Sequence, residues 1–448
     1  MNSPHGHRTL PSFLSSPRAA VLFAMVIRLA VLAISQKYID PQRHHFHSKG
    51  YEAMVLAHAL TSGHGYSFPF PNFVATGWVA PVYVWILCPG ALLFGKDGAM
   101  VVLFSQISNI IFSGLTCYPI YLLGKRIAGR TIGLAAAWTW VFLPVAVLMP
   151  IAYVWDQSLA ALFVALLFAL SYTLDESSSP WLWAGYGLVW GFAALTNPSI
   201  FVLFPCFAVW FWLRWQPSHG RRVGKPLALA ALACILVLLP WTIRNWYQLG
   251  GFTFVKSNFG VEFWLGNNSE VKNVWTPARH PLTDEKELDR MLAEGELKYN
   301  REKESEALAF IKAHPATFVR LSLNRVVDTW TAFYDSKEDY YIQPLGIRPI
   351  YILLSGVFSI TAVTGLAILL ARNWLEWLPL AWAAVAFPLP YYLTHSSGRY
   401  RHPIDPILTV LAVVGVARIV EIPRQPATAR GRSEAPRSEV KAPEPASV

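Results

Sequence analysis

The run AAVLFAMVIRLAVLAIS (19–35) is followed almost at once by KYIDPQRHHFHSKGYEAMVLAHALTSGHGYSFPFPNFVATGWVAP (37–81). The first stretch is apolar and long enough to enter a bilayer as a helix. The second is long, polar and rich in His, Gly and aromatic residues. Most of the remaining chain is apolar helix, so a loop of this kind is where a reactive carboxylate is expected. The other spans would then serve to hold it at the bilayer surface.

Composition sets the class. Of 448 residues, 54% are hydrophobic and only 14% charged, whereas soluble domains carry roughly a quarter charged residues. Repeated apolar runs of about 17–25 residues mark a polytopic membrane protein. The first run lacks a small-residue cleavage site and reads as a retained helix rather than a signal peptide. Cys88, Cys117, Cys206 and Cys234 all lie in apolar runs without metal spacing and read as small buried hydrophobes. The net charge of +10 is spread through turns and tail, which speaks against a nucleic-acid partner.

Candidate spans are 19–36, 100–123, 131–150, 156–173, 181–196, 198–214, 226–241, 347–371, 375–393 and 403–420. The run 78–95 is short and broken by Pro89-Gly90. Leaving it out of the crossings puts the basic turns on one side: Lys125, Arg126 and Arg130, then Arg214, Arg221, Arg222 and Lys225, then Arg372. That is the cytoplasmic side by the positive-inside rule. The expected plan is an all-α polytopic membrane protein of about ten transmembrane helices with both termini in the cytoplasm. Residues 1–18 form a cytoplasmic N terminus, and 19–241 a transmembrane core that includes the outer loop 37–99. An outer segment (242–346), C-terminal transmembrane helices (347–420) and a disordered cytoplasmic tail (421–448) complete it. Within the outer segment, 284–300 reads as a solvated helix. Residues 302–315 continue helically to the stop at His314-Pro315, and 315–333 read as an amphipathic helix lying on the membrane.

On this plan the distinctive polar residues share the outer side. Glu52 opens a helical stretch on the face of Leu56 and Leu60, where a carboxylate serves as a general base of raised pKa or as part of a metal site. The plain alternative is an acid favoured by a helix N-terminus. Asp156, where one span ends and the next begins, is either functional or an N-cap. Asp40 more simply marks a turn before Pro41. Arg28, in mid-span, needs an internal partner. His44, His45, His47, His58 and His64 fit no compact zinc spacing and read as a titratable surface loop. Arg244, in PWTIRNW, and Arg399, Tyr400 and Arg401, in GRYRHP, suit a lipid phosphate or plain interfacial anchoring. The loop SNFGVEFWLGNNSE (257–270) offers Glu262 and Asn267 to sugar hydroxyls, or is a structural turn. No P-loop, GxSxG, HExxH or GxGxxG motif is present.

Taken in order, these motifs resemble the GT-C fold glycosyltransferases that use polyprenyl-phosphate sugars, a group that includes protein mannosyltransferases, aminoarabinose transferases and lipid A galacturonosyltransferases. The likeness rests on Arg28-Leu29, GYEAMVLAHALTSGHGYSFPF with TGWVAPVY, YLLGKRIAGR, YVWDQSL and LTNPS. It continues through PWTIRNWYQLGGF, SNFGVEFWLGNN and RYRHPIDPIL. It implies a GT-C-like bundle in the bacterial plasma membrane with its active site on the outer face. The implied donor is a polyprenyl-phosphate sugar, and the acceptor a glycan, lipid or protein. The resemblance assigns Glu52 as base, with Asp40 in reserve because many relatives carry Asp at the matching position. Asp156 is the second acid, and Arg244, Arg399, Tyr400 and Arg401 hold the donor phosphate. Asn197 stands where relatives often carry Lys or Arg. The cofactor stays unknown, with a divalent metal ion admitted because some relatives use one. Two competing readings are a lipid or glycan transporter, which predicts mid-bilayer charges and an internal repeat, and a non-catalytic membrane subunit.

Overall fold

In hydrocarbon a chain must satisfy its own backbone, which for an open segment means a helix. The computed structural model describes residues 15–35, 51–68, 73–95, 98–175, 177, 179–219, 223–333 and 348–421. These are almost wholly α-helical. Helix α1 (Pro17–Ser35) precedes α2 (Tyr51–Thr61), a ribbon of β1 (Ser67–Phe68) and β2 (Val74–Ala75), and α3 (Pro81–Phe94). The ribbon is antiparallel, with Ser67 opposite Ala75 and Phe68 opposite Val74. At about 1.5 Å per residue α3 is roughly 21 Å long, short of the ~30 Å hydrocarbon core.

Next come α4 (Gly98–Leu115) and α5 (Cys117–Phe142), joined in an apolar run of 44 residues, Ala99–Phe142. This run is a hairpin. Ala128 and Gly129 leave helical geometry, Gly129 with φ +86°. A Cβ on Gly124 would stand 2.8 Å from the Cα of Gly133. Nine residues along a straight helix span about 13 Å, so the chain doubles back within GKRIAGR. Five helices continue the bundle: α6 (Pro144–Ala152), α7 (Gln157–Leu174), α8 (Pro180–Thr196), α9 (Leu203–His219) and α10 (Gly224–Leu249). The outer segment holds α11 (Phe259–Gly266), α12 (Glu285–Glu294), α13 (Glu296–Ala313) and α14 (Pro315–Thr331). The chain then closes through α15 (Arg348–Arg372), α16 (Trp374–Val385), α17 (Leu389–Leu393) and α18 (Asp405–Glu421).

Among the described residues seven helical segments are long and apolar enough to cross a membrane. Reaching the expected ten takes the hairpin's two arms counted separately, the 17-residue α8, and the proline-broken pair α16–α17. By length alone the number stands at seven.

One expectation for the outer segment changes. The stretch 284–300 is not one helix: Gly295, at φ +83°, ends α12, and Glu296 starts α13. Helix α14 is amphipathic. Arg320, Asn324 and Arg325 donate to the carbonyls of Lys272, Asn273 and Val274, while Val319, Leu323 and Val327 are exposed.

Polar side chains gather at the two ends of the bundle. At one end Arg214 pairs with Asp175, and Arg126 reaches Glu376 at 3.3 Å. Arg130 donates there to the Ser15 carbonyl. The opposite end collects the turn after α6, the turn after α8, the loop after α10 and the turn before α18 around one cavity.

Arg28 explains how α1 is locked into this bundle. It is fully buried and donates to the Trp140 carbonyl at 3.1 Å and the Ala146 carbonyl at 3.0 Å. Both carbonyls are orphans, because their i+4 partners are Pro144 and Pro150, which carry no N–H. Arg28 also donates to Ser113 Oγ at 3.0 Å. Removing the guanidinium strands the Trp140 carbonyl, at a cost of about 1–3 kcal/mol, and leaves the Ala146 carbonyl with Ser113 Oγ at 3.2 Å as its remaining donor. Arg28→Leu should therefore lower the thermal midpoint of the detergent-purified protein sharply. The loss should be much smaller in a Pro144→Ala/Pro150→Ala background, where the chain supplies the missing N–H groups. Equal losses in both backgrounds would show that Arg28 acts some other way.

Candidate active site

The cavity has a volume of about 750 Å³. Five of the residues singled out from sequence line it: Glu52, Asp156, Glu262, Arg399 and Tyr400. They come from four distant parts of the chain. Three do not line it: Arg244, Arg401 and Asn267. Asp40, His44, His45 and His47 lie outside the described residues, and His58 and His64 do not reach the cavity.

Glu52 sits in the first turn of α2, above the buried Leu56. The Trp78 indole donates a hydrogen bond to it, and His280 Nε2 stands 4.0 Å from Oε1. Lys256, Glu262 and Arg399 also face it. Burial pushes its carboxyl up to about 7, against the pull of Lys256 and Arg399. A carboxylate tuned near neutrality is suited to taking a proton and handing it on.

Asp156 occupies the N-cap position of α7, yet its carboxylate makes no capping bond. It is engaged instead by the Asn197 side chain, and it faces Lys256 and Arg399. Asn197 belongs to the turn between α8 and the 3₁₀ segment Pro198–Val202, whose start it caps by accepting from the Ser199 amide at 3.1 Å. Glu262, in the first turn of α11, accepts from Asn258 at 2.7 Å and lies 3.6 Å from His395 Nδ1.

The far wall is aromatic. The Arg399 guanidinium lies over Trp155 at 5.1 Å and Tyr400 at 5.3 Å. Tyr400 stacks on Tyr391 at 4.7 Å, and its hydroxyl meets His395 Nε2 at 2.8 Å. His395 stacks on Trp275 at 4.8 Å. Burial first, then Arg325 and Arg399, push His395 down to about 3, so its ring is neutral. Flat aromatic faces beside carboxylates, amides and hydroxyls suit a ligand that is apolar on one face and hydroxylated at its edges.

The three excluded residues have structural partners. Arg244 donates to the Thr76 and Tyr66 carbonyls, both at 2.6 Å, and so fastens the β ribbon to α10. Arg401 pairs with Asp405 at 2.9 Å and donates to the Thr329 and Trp330 carbonyls, where α14 ends. Asn267 donates to the Phe263 and Leu393 carbonyls and accepts from Arg325. Each lies next to the site in sequence, yet its donors are committed to backbone carbonyls and, for Arg401, also to Asp405.

Lys256, His280 and Trp275 escape a reading based on residue type. Lys256 is a lone cation in FTFVKSN, with no pattern around it. Its backbone is fixed by its neighbours. The Val255 carbonyl accepts from Trp241 and Asn245, the Ser257 amide donates to Gly77, and Ser257 Oγ donates to Glu296. Glu296 also accepts from Thr76 Oγ1 at 2.5 Å and the Gly77 amide at 2.8 Å. One buried carboxylate thus holds both the segment leading to Trp78 and the segment carrying Lys256.

Among the described residues no three His, Cys, Asp or Glu side chains form a group able to hold a metal ion. Glu52 and Asp156 instead have Lys256 and Arg399 as neighbours, the positive charge that a divalent ion would otherwise bring. The described residues do not fit a resident divalent ion.

Residues 79–243 match the family model described as dolichyl-phosphate-mannose-protein mannosyltransferase. No curated protein matches the chain in sequence. Among solved structures, the archaeal oligosaccharyltransferase AglB from Archaeoglobus fulgidus, in complex with an inhibitory peptide and a dolichol-phosphate, superposes with a TM-score of 0.52. It is 13% identical, over 94% of this chain and 52% of that one. The same organism's oligosaccharyltransferase in complex with Zn and sulfate gives 0.50 at 12% identity, over 90% and 49%. The chain thus spans about half the length of these oligosaccharyltransferases. ArnT from Cupriavidus metallidurans bound to undecaprenyl phosphate gives 0.41 at 13% identity, over 89% and 78%, a score too low to carry weight. The chain therefore has the GT-C glycosyltransferase fold and, over residues 79–243, the sequence pattern of the dolichyl-phosphate-mannose–protein mannosyltransferase family.

Proposed function

We propose that the protein transfers one sugar from a polyprenyl-phosphate donor to an acceptor hydroxyl, on the outer face of a bacterial plasma membrane. The observation that carries this reading is the convergence of Glu52 with Lys256 and Arg399 in one aromatic-walled cavity at one end of the bundle. The basic turns lie at the other end, which supports placing the cavity outside. The matched family model and the dolichol-phosphate bound by the archaeal oligosaccharyltransferase support a lipid-phosphate donor. A transporter would place its charged groups near mid-bilayer; here the groups lining the cavity sit at an end.

The reaction follows from the charges. The acceptor oxygen attacks the anomeric carbon while its proton passes to Glu52. The bond from that carbon to the phosphate oxygen breaks, and its electron pair leaves with the polyprenyl phosphate. Lys256 and Arg399 neutralise the charge that grows there, help worth more in the transition state than in the ground state. Asp156, held by Asn197, orients the acceptor. Phosphate contacts expected of Arg244 and Arg401 pass to Lys256, because those arginines are committed to carbonyls. The prenyl tail stays in lipid beside the exposed Phe254 and Phe259 at the cavity's edge.

The first test is sugar transfer by protein in nanodiscs, with a panel of radiolabelled polyprenyl-phosphate monosaccharides and bacterial membrane extract as acceptor. Glu52→Gln should lose about 10²–10⁴-fold in rate. A folded Glu52→Gln protein with full activity would remove the proposed base. Donor moved across the bilayer without transfer would favour a transporter.

Lys256→Met should weaken turnover of the same donor by roughly ten- to a hundredfold, the worth of a charge-assisted hydrogen bond. Arg244→Lys should cost thermal stability more than donor use. The reverse pattern would return the phosphate to Arg244.

The pH dependence has a defined sign. Glu52 must be unprotonated to act, and burial raises its pKa to about 7. The ratio kcat/KM should therefore rise with pH, reach half its plateau near 7, and stay flat above until another group titrates. A rate flat from pH 5 to 8 would argue against Glu52 as the base.

A further inference from the structure

His280 faces Glu52 from a segment that is fixed on both sides. Its amide donates to the Pro277 carbonyl at 3.1 Å, and its carbonyl accepts from the Thr283 and Asp284 amides at 2.8 and 2.9 Å. Arg279, next to it, bridges Glu270 at 3.0 Å and Asp284 at 3.1 Å. The imidazole stands edge-on to Trp78, at 5.6 Å and 88°.

The two ring nitrogens have different partners. Nδ1 accepts a hydrogen bond from the Leu282 amide at 3.2 Å, and Nε2 is directed at Glu52 Oε1 at 4.0 Å. A neutral imidazole carries one proton, and an accepting Nδ1 leaves that proton on Nε2. Protonating Nδ1 would set two donors against each other and forfeit the Leu282 bond.

We propose that His280 is a positioning residue for Glu52: a neutral imidazole, held in the Nε2–H form by the Leu282 amide, that presents a hydrogen-bond donor to Oε1. The inference rests on the reading of Glu52 as base and deepens it. An Nε2 that already bears a proton cannot take one from Glu52, so His280 is neither a second base nor the next stop of a proton relay. It favours the carboxylate form and fixes one of its oxygens. At 4.0 Å the contact is longer than a hydrogen bond, and such contacts tighten when substrate closes the site.

Other charged and titratable groups also face Glu52: Lys256 from the loop after α10, Glu262 from α11, Arg399 from the turn before α18, and Tyr66 beside the ribbon. They stay constant in the test. His280→Gln places an amide nitrogen near the former Nε2 and keeps a donor. His280→Asn replaces the Nδ1 side of the ring and loses the donor to Glu52. The readout is the titration of the Glu52 carboxyl itself, by infrared difference spectroscopy in nanodiscs loaded with a polyprenyl phosphate so that the site is closed, using the same background with Glu52→Gln as the blank. His280→Asn should raise its proton affinity about three- to tenfold, the worth of one hydrogen bond, and His280→Gln should leave it near wild type.

An unmoved midpoint in His280→Asn would overturn the proposal. So would an equal upward shift in both variants, which would mean that His280 acts through a positive charge. This titration needs no turnover. If Glu52→Gln transfers sugar at full rate, the reading of Glu52 as base fails while the pairing of His280 with Glu52 is judged separately.

Discussion

The bundle and the outer segment packed on it answer to one constraint: a backbone carbonyl buried away from water, in lipid or in protein, must find a donor. Prolines and helix ends create orphan carbonyls where no neighbouring amide can serve. Four arginines meet most of that need at the joints of the structure. Arg28 serves carbonyls orphaned by Pro144 and Pro150. Arg325 serves the ends of α11 and α17 through the Gly266, Tyr392 and Leu393 carbonyls. Arg401 serves the end of α14, and Arg244 the Tyr66 and Thr76 carbonyls that flank the ribbon. A guanidinium carries five donors in a rigid fork, so one side chain joins segments far apart in sequence.

The same joints place the site. Arg325 binds α11, which carries Glu262, to the end of α17, just before His395. Burial pulls Arg325 down to about 9, still protonated at neutral pH and able to serve all its carbonyls. Arg244 and Glu296 grip Thr76 and Gly77 from opposite sides, and the residue that follows, Trp78, donates to Glu52. Polar groups that never touch the cavity therefore set the geometry of those that do. The close approach of α11 to its neighbours requires glycine at two points: a Cβ on Gly260 would strike the Asn300 carbonyl, and one on Gly266 the Thr394 carbonyl.

Much of this was legible before any coordinates. Apolar run length and the placing of basic turns marked a polytopic helical bundle, because hydrocarbon admits no other open backbone form. Glu52 and Asp156 stood out because an ionisable residue at a membrane boundary is expensive and seldom idle. The hairpin at GKRIAGR was visible as a basic interruption between apolar runs. Less visible was Gly295, which splits one charged stretch into two helices and so turns Glu296 inward.

The residue types that recognise an anion and those that satisfy a carbonyl are the same, and that is where sequence reading stops. Arg244, Arg401 and Asn267 sit in polar, site-adjacent motifs, and their composition suits either role. Lys256 and His280 sit in motifs with no pattern and line the cavity all the same. Which role a donor takes depends on whether an orphan carbonyl lies within its reach. The orphans are often supplied by prolines and helix ends far away in sequence, 118 residues for Arg28 and Ala146 and 72 for Arg401 and Thr329. Sequence alone determined that this chain is a membrane-embedded helical bundle with acids at a boundary, since run length and charge are local properties. The tertiary structure alone decided which cations those acids meet, since that depends on which distant backbone groups have already claimed the others.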